Sequence, residues 1–348
     1  MARPEPSSTP SAWFDYRLPR AAIAQTPLAD RSASRMLVLE RGGGVRDGRV
    51  LELPGLLAAG DCLVVNDTRV RQARLRGRVG ERSGEALLLR RLPQGRWLAL
   101  VRPARRLVPG ACLQGSGWRI LVLASWSGHS GGREVALEAD PGADLERLGE
   151  APLPPYIKVP LAEPERYQTV YARGEPVSAA APTAGLHLTE ALLGELVRQG
   201  VRLVRVQLEV GLATFAPLRS PTVEGHQMHK ERFSVSGAAA AAIATTRAQG
   251  GRVVAVGTTA VRCLEAQADG RGGVAAGSGE TDLYLRPGVP FRVVDGLLTN
   301  FHQPRSSLLV LVSAFYGLES VQGAYRQALA WGYRFLSFGD CMFGWRGR

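Results

Sequence analysis

Short unbroken apolar runs between turn residues mark the start of the chain. Residues 36–39 and 62–65 are two such runs, and the second ends in the polar turn Asn66, Asp67, Thr68. An apolar run without polar alternation is typical of a strand buried on both faces, as in a parallel sheet covered by helices. The first seventy residues therefore predict the opening part of an α/β domain.

A helical period appears further along the chain, from Thr189 onward. Thr189 can cap a helix with an apolar stripe, and Gly200 can end it; the stripe is Leu192, Leu193, Leu196 and Val197. The same patterns predict helices over 238–248, 258–266, 308–315 and 321–330, strands over 201–210, 252–256 and 334–338, and a hairpin of 282–285 with 291–294 around Pro287 and Gly288.

Between these α/β segments the chain changes to short strand-like pieces. Glycine and proline turns separate four of them, at 86–91, 97–102, 119–124 and 134–138. Short strands with no room for helices between them predict a small antiparallel barrel. We therefore predict the α/β class, with a discontinuous α/β domain over 1–69 and 153–348, an inserted small antiparallel β-barrel over 70–152, and a disordered tail over 1–12.

The charge of the chain is unusual and unevenly placed. Its 43 basic and 31 acidic side chains give a net charge of +12. Residues 69–106 hold twelve arginines and two glutamates, so a net +10 lies in and just before the predicted barrel. Such an excess favours a polyanionic partner such as nucleic acid.

Cysteine spacing and apolar run length indicate the compartment. The four cysteines show no C-x-x-C spacing, which argues against a zinc ribbon or a thioredoxin-like motif. The longest uncharged apolar runs, 238–244 and 308–312, are far shorter than the roughly 20 residues of a membrane span. We therefore predict a cytoplasmic protein with reduced thiols and no membrane partner.

Four of the five histidines lie in polar, glycine-punctuated stretches, where active sites on α/β scaffolds are expected. His187 precedes the helix capped by Thr189, and His302 follows Asn300. His226 and His229 lie beside Glu231, but their spacing does not match the H-E-x-x-H zinc pattern, so we predict no metal site. Acid–base catalysis or substrate hydrogen bonding is the preferred interpretation, and a structural loop pair is the alternative.

A strand–turn–helix unit over 251–266 could hold an anion. Gly257 would let the backbone approach a ligand, Thr258 and Thr259 offer hydroxyls, and a helix N-terminus favours a carboxylate or phosphate. The unit matches neither G-x-G-x-x-G nor the P-loop. By spacing alone, a plain helix cap by Thr258 is equally compatible.

Long ordered blocks from Phe14 to Phe343 extend this interpretation. The blocks include IAQTPLADRSASRMLVL, GDCLVVNDTRVRQARLRG, PLPPYIK, ERYQTVYA, APTAGLHLT, EVGLATFAPL, HQMHKE, VVAVGTTAVRCLE, TDLYLRPG, VVDGLLTNFHQPRSSLLVLVSAF and GYRFLSFGDCMF. In this order they resemble the S-adenosylmethionine:tRNA ribosyltransferase-isomerase family of queuosine biosynthesis.

This resemblance implies a reaction and its substrates. The ribosyl part of S-adenosylmethionine would be transferred to the 7-aminomethyl-7-deazaguanine at the wobble position of a tRNA, giving epoxyqueuosine-tRNA, adenine and methionine. S-adenosylmethionine would be a co-substrate, with no prosthetic group. The family fold likewise has an α/β domain with an inserted β-barrel.

The resemblance also implies roles for particular side chains. A base must take a proton from the ribose carbon beside the sulfonium, and Glu231, His229 or a neutral His226 is suitable. His187 or His302 is a suitable hydrogen donor to the departing adenine. The residues expected to bind substrate are Gly257, Thr258, Thr259 and Arg262 for the methionine carboxylate, Asp67, Arg69, Tyr156, Lys158, Arg166 and Tyr167 for the anticodon base and its phosphates, and, within the matching blocks, Thr183, Gly185, Glu209 and Asn300.

The sequence departs from the family pattern at three places. Ala213 stands where the family often has glycine, Leu188 where an aromatic residue is common, and Arg305 with Ser307 where lysine and threonine are usual.

An S-adenosylmethionine-dependent tRNA methyltransferase is the alternative enzyme, although no G-x-G-x-G-type loop follows an early strand. A non-catalytic tRNA-binding protein is the other alternative. We expect the protein to be a monomer.

Overall fold

The computed structural model describes residues 8–40, 42–126, 131–140, 143–211 and 217–347. These residues form two compact units. The α/β unit comprises Met1–Thr68, Pro154–Arg173 and Pro182–Arg348, and the barrel unit comprises Arg69–Leu153 and Gly174–Ala181.

Seventeen strands are assigned in the described residues. In chain order, they are β1 Arg35–Leu39, β2 Val45–Arg49, β3 Cys62–Asn66, β4 Arg69–Val70, β5 Arg74–Val79, β6 Arg82–Arg91, β7 Arg96–Arg102, β8 Cys112–Gly115, β9 Trp118–Ser125, β10 Gly132–Ala139, β11 Pro176–Ser178, β12 Arg202–Leu208, β13 Glu231–Val235, β14 Val253–Val256, β15 Gly277–Thr281, β16 Gly296–Asn300 and β17 Cys341–Trp345.

Six α-helices accompany these strands in the same residues. They are α1 Leu145–Leu148, α2 Glu190–Arg198, α3 Gly237–Ala248, α4 Gly257–Ala266, α5 Ser307–Tyr316 and α6 Leu318–Ala330. Among the described residues, no single helix is long and apolar enough to span a membrane; α5 and α6 reach that length only as a pair bent by 112°.

A nine-stranded mixed sheet is the centre of the α/β unit. Its strand order is β15-β13-β12-β3-β14-β16-β17-β1-β2. The four neighbours β12, β3, β14 and β16 are mutually parallel. Every residue of β3, β14 and β16 is buried, as expected for apolar strands covered on both faces.

The helix after Thr189 forms for the reasons that the sequence suggests. Thr189 Oγ1 accepts the N–H of Leu192 at 3.2 Å, which satisfies one of the free donors of the first turn. Gly200 adopts a φ of +88°, a conformation that glycine enters without strain. The leucine stripe is buried, but Val197 is 51% exposed and lies outside it.

The barrel unit contains a closed six-stranded antiparallel barrel in the order β10-β7-β6-β5-β8-β9. A separate parallel pair of β4 and β11 belongs to the same unit. The predicted α/β class with a small antiparallel barrel is therefore confirmed. Two barrel strands, β5 and β8, were missed because arginine and glycine interrupt the apolar alternation of β5 and because β8 has only four residues.

The predicted hairpin of 282–285 with 291–294 is wrong. The structure assigns no strand anywhere between residues 282 and 295, although Leu285, Val293 and Val294 are buried. The Glu265 carboxylate accepts the N–H groups of residues 292, 293 and 294 at 2.7–3.0 Å. A side chain from α4 thus satisfies the backbone donors that a hairpin ladder would have used.

Two further predictions also fail. The strand over 334–338 is absent because the chain turns there: Leu336 has a φ of +70°, and Asp340 accepts the N–H of Arg334 at 2.7 Å. The last strand is instead β17. In the predicted tail, Ser11 is 1% exposed and donates its N–H to Pro221 O at 2.9 Å, so residues 11 and 12 belong to the folded unit. Residues 1–7 lie outside the described residues.

Candidate functional site

The carboxyl ends of the parallel strands bring several predicted site residues to one edge of the sheet. Val65 of β3 lies opposite Val256 of β14, and Val256 lies opposite Leu298 of β16. Because neighbouring strands are roughly 4.8 Å apart, the residues that end or follow these strands lie side by side: Asp67, Gly257 and Asn300. Ligands bind at this edge in open α/β sheets.

His187 is fixed by hydrogen bonds on both ring nitrogens. It ends the 3₁₀ helix Thr183–His187 and is 3% exposed. Asn300 Nδ2 donates to Nε2 at 3.0 Å, and Nδ1 lies 2.9 Å from Ser34 Oγ. Ser34 donates its own proton to Arg31 O at 3.0 Å, so the proton between His187 and Ser34 is assigned to Nδ1. Burial lowers the pKa of His187 to about 3, which keeps the ring neutral at neutral pH.

Asn300 joins this histidine to the loop that contains Thr183 and Gly185. Thr183 Oγ1 donates to Asn300 Oδ1 at 3.0 Å. A Cβ at Gly185 would lie 1.8 Å from the Tyr171 hydroxyl, so only glycine allows this approach. The Tyr171 hydroxyl is buried without a hydrogen-bond partner among the described residues. Tyr171 and Ser34 were not identified from the sequence, because no spacing rule connects them to His187.

His302 is anchored through both its ring and its backbone. Its Nε2 lies 2.9 Å from Thr299 Oγ1, its N–H donates to the Tyr325 hydroxyl at 2.9 Å, and Tyr16 donates to its carbonyl oxygen at 2.5 Å. Burial lowers its pKa to about 3 as well. Neither buried histidine is an imidazolium at neutral pH, so each can offer a neutral N–H but not a readily released proton.

The first turn of α4 has features expected of an anion site. Gly257 has a φ of +83°, and a Cβ there would lie 3.4 Å from Ala184 Cβ. The N-cap residue is Val256, which makes no side-chain cap, so the alternative of a plain cap by Thr258 is wrong. Thr259 Oγ1 and Arg262 Nη2 are both buried and have no hydrogen-bond partner among the described residues. Positions three apart share one helix face, so both groups face the same side.

Glu231 and Arg262 form an ion pair in which both side chains are buried. They are 7% and 6% exposed, and Arg262 Nη1 donates to Glu231 Oε2. Glu231 Oε1 also accepts the N–H of Gly211 at 3.0 Å, and Arg262 Nε donates to Leu283 O at 3.2 Å. Burial lowers the pKa of Arg262 to about 10, so it remains charged at neutral pH.

The two histidines near Glu231 have different environments. His229 is exposed, whereas His226 is half-buried with its ring edge-on to Tyr284 at 5.3 Å. Burial lowers the pKa of His226, and the electrostatic effect of the neighbouring His229 lowers it further. In the described part of the chain, no group of three or more His, Cys, Asp or Glu side chains is placed to hold a metal ion.

Two aromatic residues predicted to contact the anticodon lie largely inside the α/β unit. Tyr167 is 1% exposed and packs edge-on against Phe338, with ring centroids 6.0 Å apart. Tyr156 is half-buried, and its hydroxyl lies 2.7 Å from Ser337 Oγ. A base cannot stack on Tyr167 in this structure, because almost none of its ring is accessible.

The charged residues predicted to contact tRNA differ in accessibility. Lys158 is exposed, Arg69 is half-buried, and Arg166 is half-buried with its guanidinium donating to the carbonyls of residues 28 and 29. Asp67 is half-buried, and burial raises the pKa of its carboxyl although nearby arginines oppose this. Glu209 lines a cleft of about 470 Å³ together with residues of β12, β13 and β15.

The barrel unit by itself displays a cationic surface. Eight of the twelve arginines over 69–106 are exposed, namely Arg76, Arg78, Arg82, Arg90, Arg91, Arg102, Arg105 and Arg106. Glu150 pairs with Arg76 at 3.2 Å and Glu85 pairs with Arg102 at 3.7 Å. Arg74 differs from the exposed set, since its guanidinium donates to Leu153 O at 2.9 Å.

The departures from the family pattern fall in different places. Leu188 is fully buried in the core of the α/β unit, where a larger aromatic side chain would need extra space. Ser307 is the first residue of α5, and Arg305 has a φ of +51°. Ala213 lies outside the described residues.

Comparisons with known proteins agree with this architecture. A family model described as "Queuosine biosynthesis protein" matches residues 11–343. The chain is 51% identical to the S-adenosylmethionine:tRNA ribosyltransferase-isomerase of Moorella thermoacetica, over 94% of this chain and 98% of that protein. It is 50% identical to the protein of the same name from Heliobacterium modesticaldum, over 95% and 98%.

A solved structure shows the same similarity in three dimensions. The S-adenosylmethionine tRNA ribosyltransferase of Thermotoga maritima is 35% identical, with a TM-score of 0.56, and the match covers 95% of this chain and 99% of that one. The match therefore includes both the α/β unit and the barrel unit. The chain belongs to the queuosine biosynthesis protein family.

Proposed function

We propose that this chain is an S-adenosylmethionine:tRNA ribosyltransferase-isomerase. It transfers and isomerises the ribosyl moiety of S-adenosylmethionine onto the 7-aminomethyl-7-deazaguanine at the tRNA wobble position, and it releases adenine and methionine. Family membership over residues 11–343 supports the reaction. The observation that carries it on the structural side is the pair of buried groups at the start of α4, Thr259 Oγ1 and Arg262 Nη2, for which the described part of the chain provides no hydrogen-bond partner.

The α4 turn is our proposed site for the methionine carboxylate of S-adenosylmethionine. Unpaired N–H groups of an uncapped first turn attract an anion, and a guanidinium nitrogen adds a charge-assisted hydrogen bond. Buried polar groups are usually hydrogen-bonded, so two groups on one helix face without a partner in the described residues support an anion site at this turn. Gly257 supports this role, because its lack of a side chain leaves the turn open.

Replacing Thr259 with valine is expected to lower kcat/KM for S-adenosylmethionine by about 10- to 100-fold, because a hydrogen bond to a charged group is worth about 1.5–3 kcal/mol. The melting temperature should stay level or rise, since the hydroxyl makes no hydrogen bond to any described residue. The matched control is Thr246→Val, in a buried helical threonine at the amino end of the strands. Equal kcat/KM losses in both variants would remove Thr259 from the site.

Proton transfer is assigned to groups near the same edge. We propose His226, His229 or Glu231 as the acceptor of the ribose proton; a lowered pKa supports His226, because a neutral ring can accept a proton at pH 7. We propose His187 and His302 as neutral N–H donors toward the adenine. For His187 this requires exchange of its present hydrogen bond to Ser34.

Product analysis tests the reaction itself. Purified protein with S-adenosylmethionine and tRNA that bears the precursor base should release free adenine and methionine. Methylated tRNA with S-adenosylhomocysteine would indicate the methyltransferase instead. Alanine variants of His187, His229 and Glu231 distinguish the enzyme from a non-catalytic tRNA-binding protein. A protein that only binds tRNA would keep its tRNA affinity in each variant. It would also form no product, either as the original chain or as any variant.

We further propose that the barrel unit binds tRNA phosphates and that the α/β unit is the catalytic domain. The eight exposed arginines support phosphate binding. Lys158, Arg69 and Asp67 remain our candidates for contacts near the anticodon base. We also propose a cytoplasmic location, in which the four cysteines are free thiols. We propose a monomer without a prosthetic group, which light scattering and absorbance of purified protein would check.

Salt dependence tests the barrel contact. Changing Arg82, Arg90 and Arg91 to glutamine is expected to reduce the slope of log affinity for tRNA against log salt by about 2, since each phosphate contact contributes about 0.7–0.9. The control is the triple variant Arg20→Gln, Arg271→Gln and Arg292→Gln, which removes three exposed arginines from the α/β unit. An equal change in the two triple variants would show that net charge alone sets the slope.

A further inference from the structure

A second cavity lies apart from the α4 turn, between the N-terminal segment and the last two long helices. Its volume is about 390 Å³, and residues 13–17 form one side while α5 and α6 form the other. This volume lies within the range of small-molecule sites. Most of the lining is apolar or aromatic: Trp13, Phe14, Tyr16, Leu309, Leu318, Val321, Tyr325 and Leu329.

The cavity contains one buried polar group that nothing in the described residues satisfies. Ser313 of α5 lines it, is 2% exposed, and has a hydroxyl without a hydrogen-bond partner. An alanine at this position would avoid that cost, so the hydroxyl indicates a group that binds there. An apolar pocket with one convergent polar group is the usual form of a small-ligand site.

The mouth of the cavity is cationic. Arg17 and Arg326 are both exposed, and Asp15 is the acidic residue of the lining, which leaves one positive charge in excess. Trp13 lies at the same rim and is 54% exposed. An aromatic ring and two guanidinium groups beside an apolar cavity suit a ligand with a flat apolar body and an anionic end.

The walls are preformed, because hydrogen bonds hold the N-terminal segment against the helices. Gln322 Nε2 of α6 donates to Trp13 O at 2.9 Å, and the N–H of Arg305 donates to Phe14 O at 2.8 Å. A site that exists before binding needs little ordering of the chain when the ligand enters.

We propose that this cavity is a second ligand site, which takes a small carboxylic acid with a flat apolar body. The body packs between Phe14 and the leucines of α5 and α6, a hydrogen-bonding group reaches Ser313, and the carboxylate lies at Arg17 and Arg326. The site does not depend on the proposed reaction.

The cavity also has a direct structural connection to His302. Its lining tyrosines, Tyr16 and Tyr325, are the residues that bind the carbonyl oxygen and the N–H of His302. Their rings meet edge-on at 5.2 Å. A ligand that packs on both rings therefore contacts the two side chains that hydrogen-bond to the backbone of His302.

Titration calorimetry with 4-phenylbutyrate and its uncharged analogue 4-phenylbutan-1-ol tests the proposal on the full chain. We expect the acid to bind about tenfold more tightly than the alcohol, as one charge-assisted contact allows. Saturating S-adenosylmethionine should not displace it. Equal binding of acid and alcohol, displacement by S-adenosylmethionine, or no heat from either probe at millimolar concentration would overturn the proposal.

Variants then locate the bound probe. Arg17→Gln with Arg326→Gln should reduce acid affinity to that of the alcohol, while the exposed pair Arg20→Gln with Arg271→Gln, of equal charge, should leave it unchanged. Ser313→Leu places a larger side chain at the buried side of the cavity, and Leu318→Trp places one at the partly exposed start of α6. Either variant should abolish binding of the acid. Undiminished binding in a folded filled variant, or equal losses in the two arginine pairs, would contradict this location.

Discussion

Replacing Glu231 with alanine is expected to lower the free energy of unfolding by about 3–5 kcal/mol, the usual cost of leaving one member of a buried ion pair alone. The remaining Arg262 would keep its charge in a site where only 6% of its side chain is exposed. The variant also loses the acceptor for the N–H of Gly211. Urea unfolding followed by far-ultraviolet circular dichroism measures the loss.

A neighbouring acid provides the matched control for this variant. Glu280 of β15 lies 3.7 Å from Arg232 of β13, but these side chains are 46% and 57% exposed. Glu280→Ala should cost at most about 1 kcal/mol, because surface ion pairs contribute little. Adding Arg262→Met to Glu231→Ala should recover part of the lost stability, since the uncompensated charge is removed. Comparable losses from Glu231→Ala and Glu280→Ala would mean that the buried pair carries no special cost.

Acid is expected to destabilise the protein well before its carboxylates titrate. His187 and His302 have pKa values lowered by burial to about 3, against 6.5 for an exposed histidine. Above pH 6.5 both states hold the rings neutral. Between pH 6.5 and 3 the unfolded chain binds protons that the native protein does not, so stability falls as the pH is lowered, by about 1.4 kcal/mol per pH unit for each ring. From pH 8 to pH 5 the two rings together remove about 4 kcal/mol.

Urea unfolding at pH 8, 7, 6 and 5 measures this dependence. His302→Gln removes one titrating ring and should reduce the slope below pH 6.5 by about 1.4 kcal/mol per pH unit. The interval from pH 8 to pH 7 is an internal control, because both histidines are neutral in both states there. A slope in the variant equal to that of the original chain would show that His302 is protonated as readily in the folded protein as in the unfolded one.

The central strands could be predicted because their burial is visible in the sequence. An apolar run such as that of β3 has only one favourable place in an α/β fold, between two layers of helices. The helix after Thr189 could also be predicted from the sequence, since capping and leucine spacing are local properties. The hairpin around Pro287 failed because the local pattern could not reveal that Glu265, about 28 residues earlier, takes its backbone donors.

Only part of the candidate site could be predicted from the sequence. The Gly257 turn and Asn300 could be singled out because each directly follows a buried strand. Their approach to one another depends on the strand order, in which β14 lies between β3 and β16. The partner of His187 could not be predicted, because Ser34 is 153 residues away and a serine in a loop has no distinguishing pattern.

The sequence by itself determined the layered α/β class, the antiparallel barrel, the concentration of positive charge in one segment, and the family. Each depends on residue type and spacing, which a chain carries before it folds. Tertiary structure alone decided which polar groups are satisfied: it paired Glu231 with Arg262, made two histidines neutral by burial, and left the hydroxyls of Thr259 and Ser313 without partners among the described residues. Burial and hydrogen bonding depend on distant segments of the chain, so only the folded arrangement distinguishes a group that supports the fold from one that is free to bind a ligand.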